Sequence, residues 1–205
     1  MAAFLPSGPR ALRVTVALYL CLLLSALGAA SAFSQWHLLG QVLEGQPLST
    51  EVARANDGRH LALTAGLAAM MLVTALLYFN WLYNSVRNVA EVRGKPTTVT
   101  QGWAIGYWFI PIINLYRPYR TMVELWEKSS QGIAVKMLPP PIALWWLTYL
   151  LGGGLDGSTT RLVEAGMLRL SAGLEVAGKL LLVVAAYLLI RIISAIDAAQ
   201  AQWPD

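Results

Sequence analysis

Two uncharged runs, residues 14–43 and 61–86, limit what this chain can fold into more than any other feature. An apolar run of about 20 residues is what a helix needs to cross the hydrocarbon layer. Inside lipid, only helices and closed barrels satisfy every backbone polar group. The 205 residues are 57% hydrophobic and 13% charged, whereas soluble domains carry roughly 25% charged residues. An all-α integral membrane protein is therefore predicted. The net charge of +4 suits Lys and Arg gathered in cytoplasmic loops and calls for no nucleic-acid partner. The one cysteine, Cys21, excludes a disulfide or a cysteine-based metal site within the chain.

The pattern reads as one membrane domain over residues 1–205 with spans at 14–33, 61–83, 139–154 and 176–196. Arg10 and Arg13 precede the first span, and Ala30-Ser31-Ala32 near its end resembles a signal-peptide cleavage site. A retained helix is the favoured alternative, because several spans follow. Residues 34–60 read as a polar outer loop with His37, Glu44, Glu51, Asp57 and His60. The second span offers Ala62 and Gly66 as a close-contact pair and ends in Phe79, Trp81 and Tyr83, as interfacial aromatics do. Prolines 139–141 and glycines 152–154 punctuate a short third helix. Lys179 and Arg191 near the ends of the last span are expected to snorkel to the headgroups.

Between the second and third spans lies GWAIGYWFIPIINLYRPYRTMVELW, with a broken segment at 102–118 and an amphipathic helix at 119–130. Pro111 removes a backbone donor and disfavours helix at Ile110. If this segment enters and returns, there are four spans with both termini cytoplasmic. Ten Lys and Arg residues (10, 13, 87, 93, 95, 117, 120, 128, 136 and 191) then face inward and five outward. If it crosses, there are five spans and the tally is eight against seven. The positive-inside preference favours a re-entrant or interfacial segment. Bent backbone at membrane depth needs cover, so the segment is expected to pack inside the bundle.

Asn80, Asn84 and Asn88 share one stripe of the second helix, and Asn114 lies in the broken segment. Asn80, Asn84 and Asn114, with Arg117, form the candidate ligand cluster. The plainer alternative is packing, the amides serving carbonyls freed by Pro111 and Pro118. Arg87, Arg93, Lys95, Arg117 and Arg120 suit anionic lipid headgroups, or simple anchoring. Gly102 and Gly106 form a GxxxG pair. GLEVAGKL at 173–180 fails as a phosphate loop because Leu180 replaces Ser or Thr. His37 and His60 lack a ligand pattern, and no catalytic motif is present, so neither cofactor nor enzyme activity is expected.

Trp108, Phe109, Pro111, Asn114, Leu115 and Pro118 form a pattern similar to the bacterial membrane family catalogued as domain of unknown function 4328. The resemblance covers about residues 60–196, taking in Trp81, Arg87, Asn88, Trp126, Trp145 and Trp146. It implies a polytopic protein of the bacterial cytoplasmic membrane and transfers no activity. The expected role is a non-enzymatic scaffold or regulatory partner in the bilayer, as a homo-oligomer or with another membrane protein. A small transporter or channel built around the broken segment is the alternative, and a lipid-acting enzyme the weakest.

Overall fold

The structure, a computed structural model, describes residues 8–92, 94, 96–133 and 137–203. Arg93, Lys95 and Lys136, three of the expected inward-facing cations, lie outside the described residues. Among those described, the chain is helical without strands. It runs α1 (Gly8–Leu43), α2 (Thr50–Arg87) with a π-helical turn at Asn88–Val92, α3 (Gln101–Gly106) with a 3-10 turn at Tyr107–Phe109, α4 (Pro111–Asn114), α5 (Arg117–Ser130), α6 (Ile142–Glu164) and α7 (Leu168–Gln200). Among the described residues three helices, α1, α2 and α7, are long and apolar enough to cross a membrane. At 1.5 Å per residue α1 extends about 54 Å, well beyond the ~30 Å hydrocarbon core.

The loops are shorter than the sequence suggests. The polar stretch at 34–60 is mostly helix, because α1 runs to Leu43 and α2 starts at Thr50. Both tight turns between long helices use a glycine with positive φ, Gly45 (82°) and Gly166 (74°). At each, the glycine N–H returns three residues and the next N–H five: Gly45 to Val42 and Gln46 to Gln41, then Gly166 to Val163 and Met167 to Leu162. This double bond to the last carbonyls ends a helix sharply and needs the left-handed conformation glycine supplies. Ser49 then caps α2 by accepting from the N–H of Val52 at 3.2 Å.

The glycines at 152–154 do not end α6, which continues to Glu164. A Cβ on Gly178 of α7 would stand 3.0 Å from the Gly152 carbonyl oxygen, and one on Gly152 would stand 3.1 Å from the Gly178 oxygen. Two facing glycines thus let the helices touch backbone to backbone, which offsets their poor helix propensity. The pairs chosen on spacing alone do not behave this way. Gly66 and Gly102 have open space where a Cβ would be, and Gly106 meets only the Trp103 ring of its own helix.

The chain divides into two compact units, Met1–Leu18, Val73–Trp146 and Leu188–Asp205 in the first and Tyr19–Leu72 with Leu147–Tyr187 in the second. The first holds an aromatic core around Tyr78, Trp81, Trp145 and Trp146, together with Met122. Here α5 is latched to the chain preceding α3. Glu124 accepts from the Thr98 N–H at 2.7 Å and from its hydroxyl, and pairs with Lys128 at 2.7 Å. Lys128 in turn donates to the Pro96 carbonyl. Burial raises the Glu124 carboxyl's pKa, but the bonds from Lys128 and Thr98 outweigh it and hold the carboxyl below its ordinary 4.5.

Two measurements test these contacts. Gly178→Ala forces a Cβ against backbone and should cost about 1–3 kcal/mol, whereas Gly154→Ala, with open space at the Cβ, should gain up to about 1 kcal/mol of helix propensity; thermal unfolding in detergent compares them. Because folding lowers the Glu124 pKa, its contribution is complete above pH 4.5 and is lost as the pH falls through the lower folded value. The unfolding midpoint of Glu124→Gln should therefore lie below wild type at neutral pH, the two converging in acid.

Candidate functional site

The break in the signature segment is local and complete. Ile110 is extended (φ −105°, ψ 109°), Pro111 opens α4, and Pro118 stands in the first turn of α5. A residue before proline is driven out of the helical region, and proline is tolerated where a first-turn N–H would be unpaired anyway. Short-range bonds close the kink: the N–H groups of Asn114, Leu115 and Tyr116 donate to Ile110, Ile112 and Ile113. The Trp146 indole of α6 donates to the Leu115 carbonyl at 2.8 Å. Trp108 wedges edge-on between Tyr78 of α2 and Trp146 of α6, with centroids at 5.5 and 5.7 Å. T-shaped contacts of this kind add about 0.5–1.5 kcal/mol each to the area they bury.

Cover by the bundle is one-sided. Trp108 packs against Tyr78 and Trp146, while Phe109 and Ile112 are 72% and 77% exposed. The expectation of a fully buried element fails because the backbone satisfies itself locally, leaving apolar side chains free to face outward.

The candidate cluster separates into three environments. Asn80 is exposed, and buried Asn84 donates its amide back to the Asn80 carbonyl at 2.7 Å, within one helix. Asn114 is half-buried, and its side-chain oxygen meets no hydrogen-bond donor among the described residues. Arg117 stacks over Tyr107 at 5.1 Å and Tyr116 at 5.8 Å, a cation–π arrangement. No hydrogen bond joins these side chains to one another among the described residues. The Asn84 amide stays within its helix, and the carbonyl of Leu115, beside the second proline, is met by the Trp146 indole.

A different polar knot is fully built in the same unit. Gln200 at the end of α7 donates to the Ser85 carbonyl at 3.2 Å and the Ser129 hydroxyl at 3.1 Å, and accepts from Asn88 at 3.3 Å. The Trp203 indole donates to the Ser129 carbonyl at 3.0 Å. Thus α2, α5 and α7 are tied by buried amides. Asn88, the third member of the stripe, is the one whose amide bridges to another helix. Gln200 and Ser129 carry no motif that would have marked them.

In the second unit a chain of charge runs through the helices. The Lys179 side chain is 5% exposed and sits 3.2 Å from Asp156 and 3.1 Å from Glu175. Its stem lies against Gly28 of α1. The same Glu175 oxygen is 3.6 Å from His60 Nε2. Lys179 therefore does not snorkel: acidic partners on α6 and α7 hold it inside. Beside Glu175 lies a cavity of about 280 Å³ bounded by Gln35, Leu39, His60, Thr160, Ser171 and Ala172, among others. No group of three His, Cys, Asp or Glu side chains suited to a metal occurs among the described residues.

The knot is open to a direct test. Gln200→Leu leaves buried donors and acceptors unpaired and should cost about 1–3 kcal/mol. Gln200→Leu combined with Asn88→Leu should cost less than the sum of the two singles, as coupled partners do. Thermal melting of the three variants measures that coupling.

A search of curated proteins and of solved structures finds no match to the chain. The family model described as domain of unknown function (DUF4328) matches residues 44–198. That stretch contains the broken segment, the Trp108 wedge and the charged chain alike, and the chain belongs to the DUF4328 family.

Proposed function

We propose that this is a four-span protein of the bacterial cytoplasmic membrane with a non-enzymatic role, as a scaffold or regulatory partner for other membrane components. The observation that carries the reading is the use made of the signature residues. Trp108 fills an aromatic wedge, Pro111 and Pro118 shape the chain, and the Leu115 carbonyl binds the Trp146 indole. These residues hold helices together and present no nucleophile or acid–base pair.

The topology rests on length and charge. The six residues of α3 and the three of its 3-10 turn reach about 15 Å, half the hydrocarbon thickness. That favours a segment which enters and returns, leaving Arg117, Arg120 and Lys128 on the cytoplasmic side with both termini. There they are suited to anionic headgroups. The most apolar stretch of α2 is only 17% buried, which leaves a flank for lipid, a second copy or a partner helix. One observation favours the transporter alternative: Lys179 with its carboxylates is the kind of buried ionisable group that marks substrate or ion pathways.

Two experiments decide. In a Cys21→Ser background, Glu51→Cys should react with a membrane-impermeant maleimide on intact cells and Glu127→Cys only after permeabilisation; outside labelling of Glu127→Cys overturns the four-span topology. In proteoliposomes, the purified protein should give no ion or solute flux above empty vesicles, and Asn84→Leu, which loses the bond to the Asn80 carbonyl, should lower the yield of folded protein. A flux that Asn114→Leu abolishes at full folded yield replaces the scaffold by a transporter.

A further inference from the structure

We propose that the cavity beside Glu175 is a binding site for a small primary ammonium, presented by a free amine or by a lipid headgroup. The site goes beyond the proposed role and depends on neither the scaffold reading nor the four-span topology. All its residues belong to one compact unit.

The charge balance comes first. Lys179 places one ammonium between the two carboxylates of Asp156 and Glu175, at 3.2 and 3.1 Å. Among the described residues no arginine pairs with either carboxylate. Arg59 is engaged by Asn56 at 2.6 Å and Ser31 at 3.1 Å, and Arg169 lies 4.7 Å over the Trp36 ring. Glu175, 12% exposed, shares its one ammonium with Asp156 and so gains from a further cation that also brings hydrogen bonds.

The walls are matched to donors. The Gln35 side-chain oxygen, at the cavity, is buried and meets no hydrogen-bond partner among the described residues. Leaving such an acceptor unpaired costs about 1–3 kcal/mol. The hydroxyls of Thr159 and Ser171 spend their protons on the carbonyls of Asp156 and Thr159, at 2.7 and 3.1 Å, so their oxygens remain acceptors. Carboxylate, amide oxygen and hydroxyl oxygens together call for a ligand with several N–H donors and a positive charge. Leu39, Val163, Leu168 and Ala172 supply an apolar wall for a short carbon stem. At about 280 Å³ the cavity lies at the low end of the ~300–1,000 Å³ typical of ligand sites, so the ligand is small.

The test uses the full-length protein in nanodiscs of phosphatidylcholine alone, titrated with ethanolamine at constant ionic strength while thermal unfolding is followed. Ligand that binds only the folded state raises the unfolding midpoint with concentration. The expected result is a saturable rise with ethanolamine and none with tetramethylammonium, which has the charge but no N–H. Glu175→Gln should weaken the response at least tenfold. Because Glu175 also pairs with Lys179, Gln35→Leu is the second variant. It removes only the unpaired acceptor, so it should fold at least as well as wild type and still lose affinity. The two sources separate when phosphatidylethanolamine replaces half of the lipid. A headgroup ligand raises the midpoint directly and shifts the ethanolamine titration to higher concentration, whereas a free-amine site leaves the titration unchanged. An equal rise with tetramethylammonium overturns the proposal, as does a response undiminished in both variants. So does the absence of any response to ethanolamine together with none to phosphatidylethanolamine.

Discussion

Prolines at 111 and 118 oblige the chain to find substitutes for the backbone bonds a continuous helix would have made, and the signature segment is organised around that obligation. In a bilayer an unpaired backbone group costs several kcal/mol, so the kink persists only where donors are fixed in place. The N–H groups of residues 114–116 close it from within, and the Trp146 indole closes it from α6. The tryptophan that donates this bond also packs edge-on against Trp108. Polar satisfaction and aromatic packing are therefore two uses of one side chain, and removing either would loosen the other.

The second unit depends on the closeness of α6 and α7. Gly152 and Gly178 bring the two backbones together. Asp156 follows Gly152 by one turn and Lys179 is next to Gly178, so the approach that only glycine permits also closes the ion pair at 3.2 Å. A larger residue at either glycine would separate the charges as well as the helices. Packing and electrostatics are again the same geometric fact.

Much of this was legible from composition and local rules. Uncharged length predicts helices at α1, α2 and α7, and Pro111 predicts the break at Ile110, because both follow from the residues themselves. The amphipathic helix at 119–130 falls within α5 (Arg117–Ser130). What was not legible needed a partner distant in sequence. Three glycines in a row look like a helix end unless Gly178 is known to face Gly152. Lys179 looks like an anchor until Asp156, 23 residues earlier, is found beside it. Asn80, Asn84 and Asn88 share a stripe, yet only Asn88 meets Gln200, 112 residues away. Gln35, near the end of a helix that reads as a loop, gave no sign of the cavity it borders.

The buried lysine also bears on how the chain enters a bilayer. A lone lysine at the centre of an inserting helix costs about 2.5–3.5 kcal/mol, and α7 has Lys179 within its apolar length. Its counter-charge Asp156 is on α6, the helix made just before it and joined to it through the turn at Gly166. Lys179 already has Glu175 of its own helix at 3.1 Å, and docking on α6 adds Asp156 at 3.2 Å as a second carboxylate. The hairpin therefore serves Asp156 at least as much as Lys179: the carboxylate on α6 meets its cation on α7.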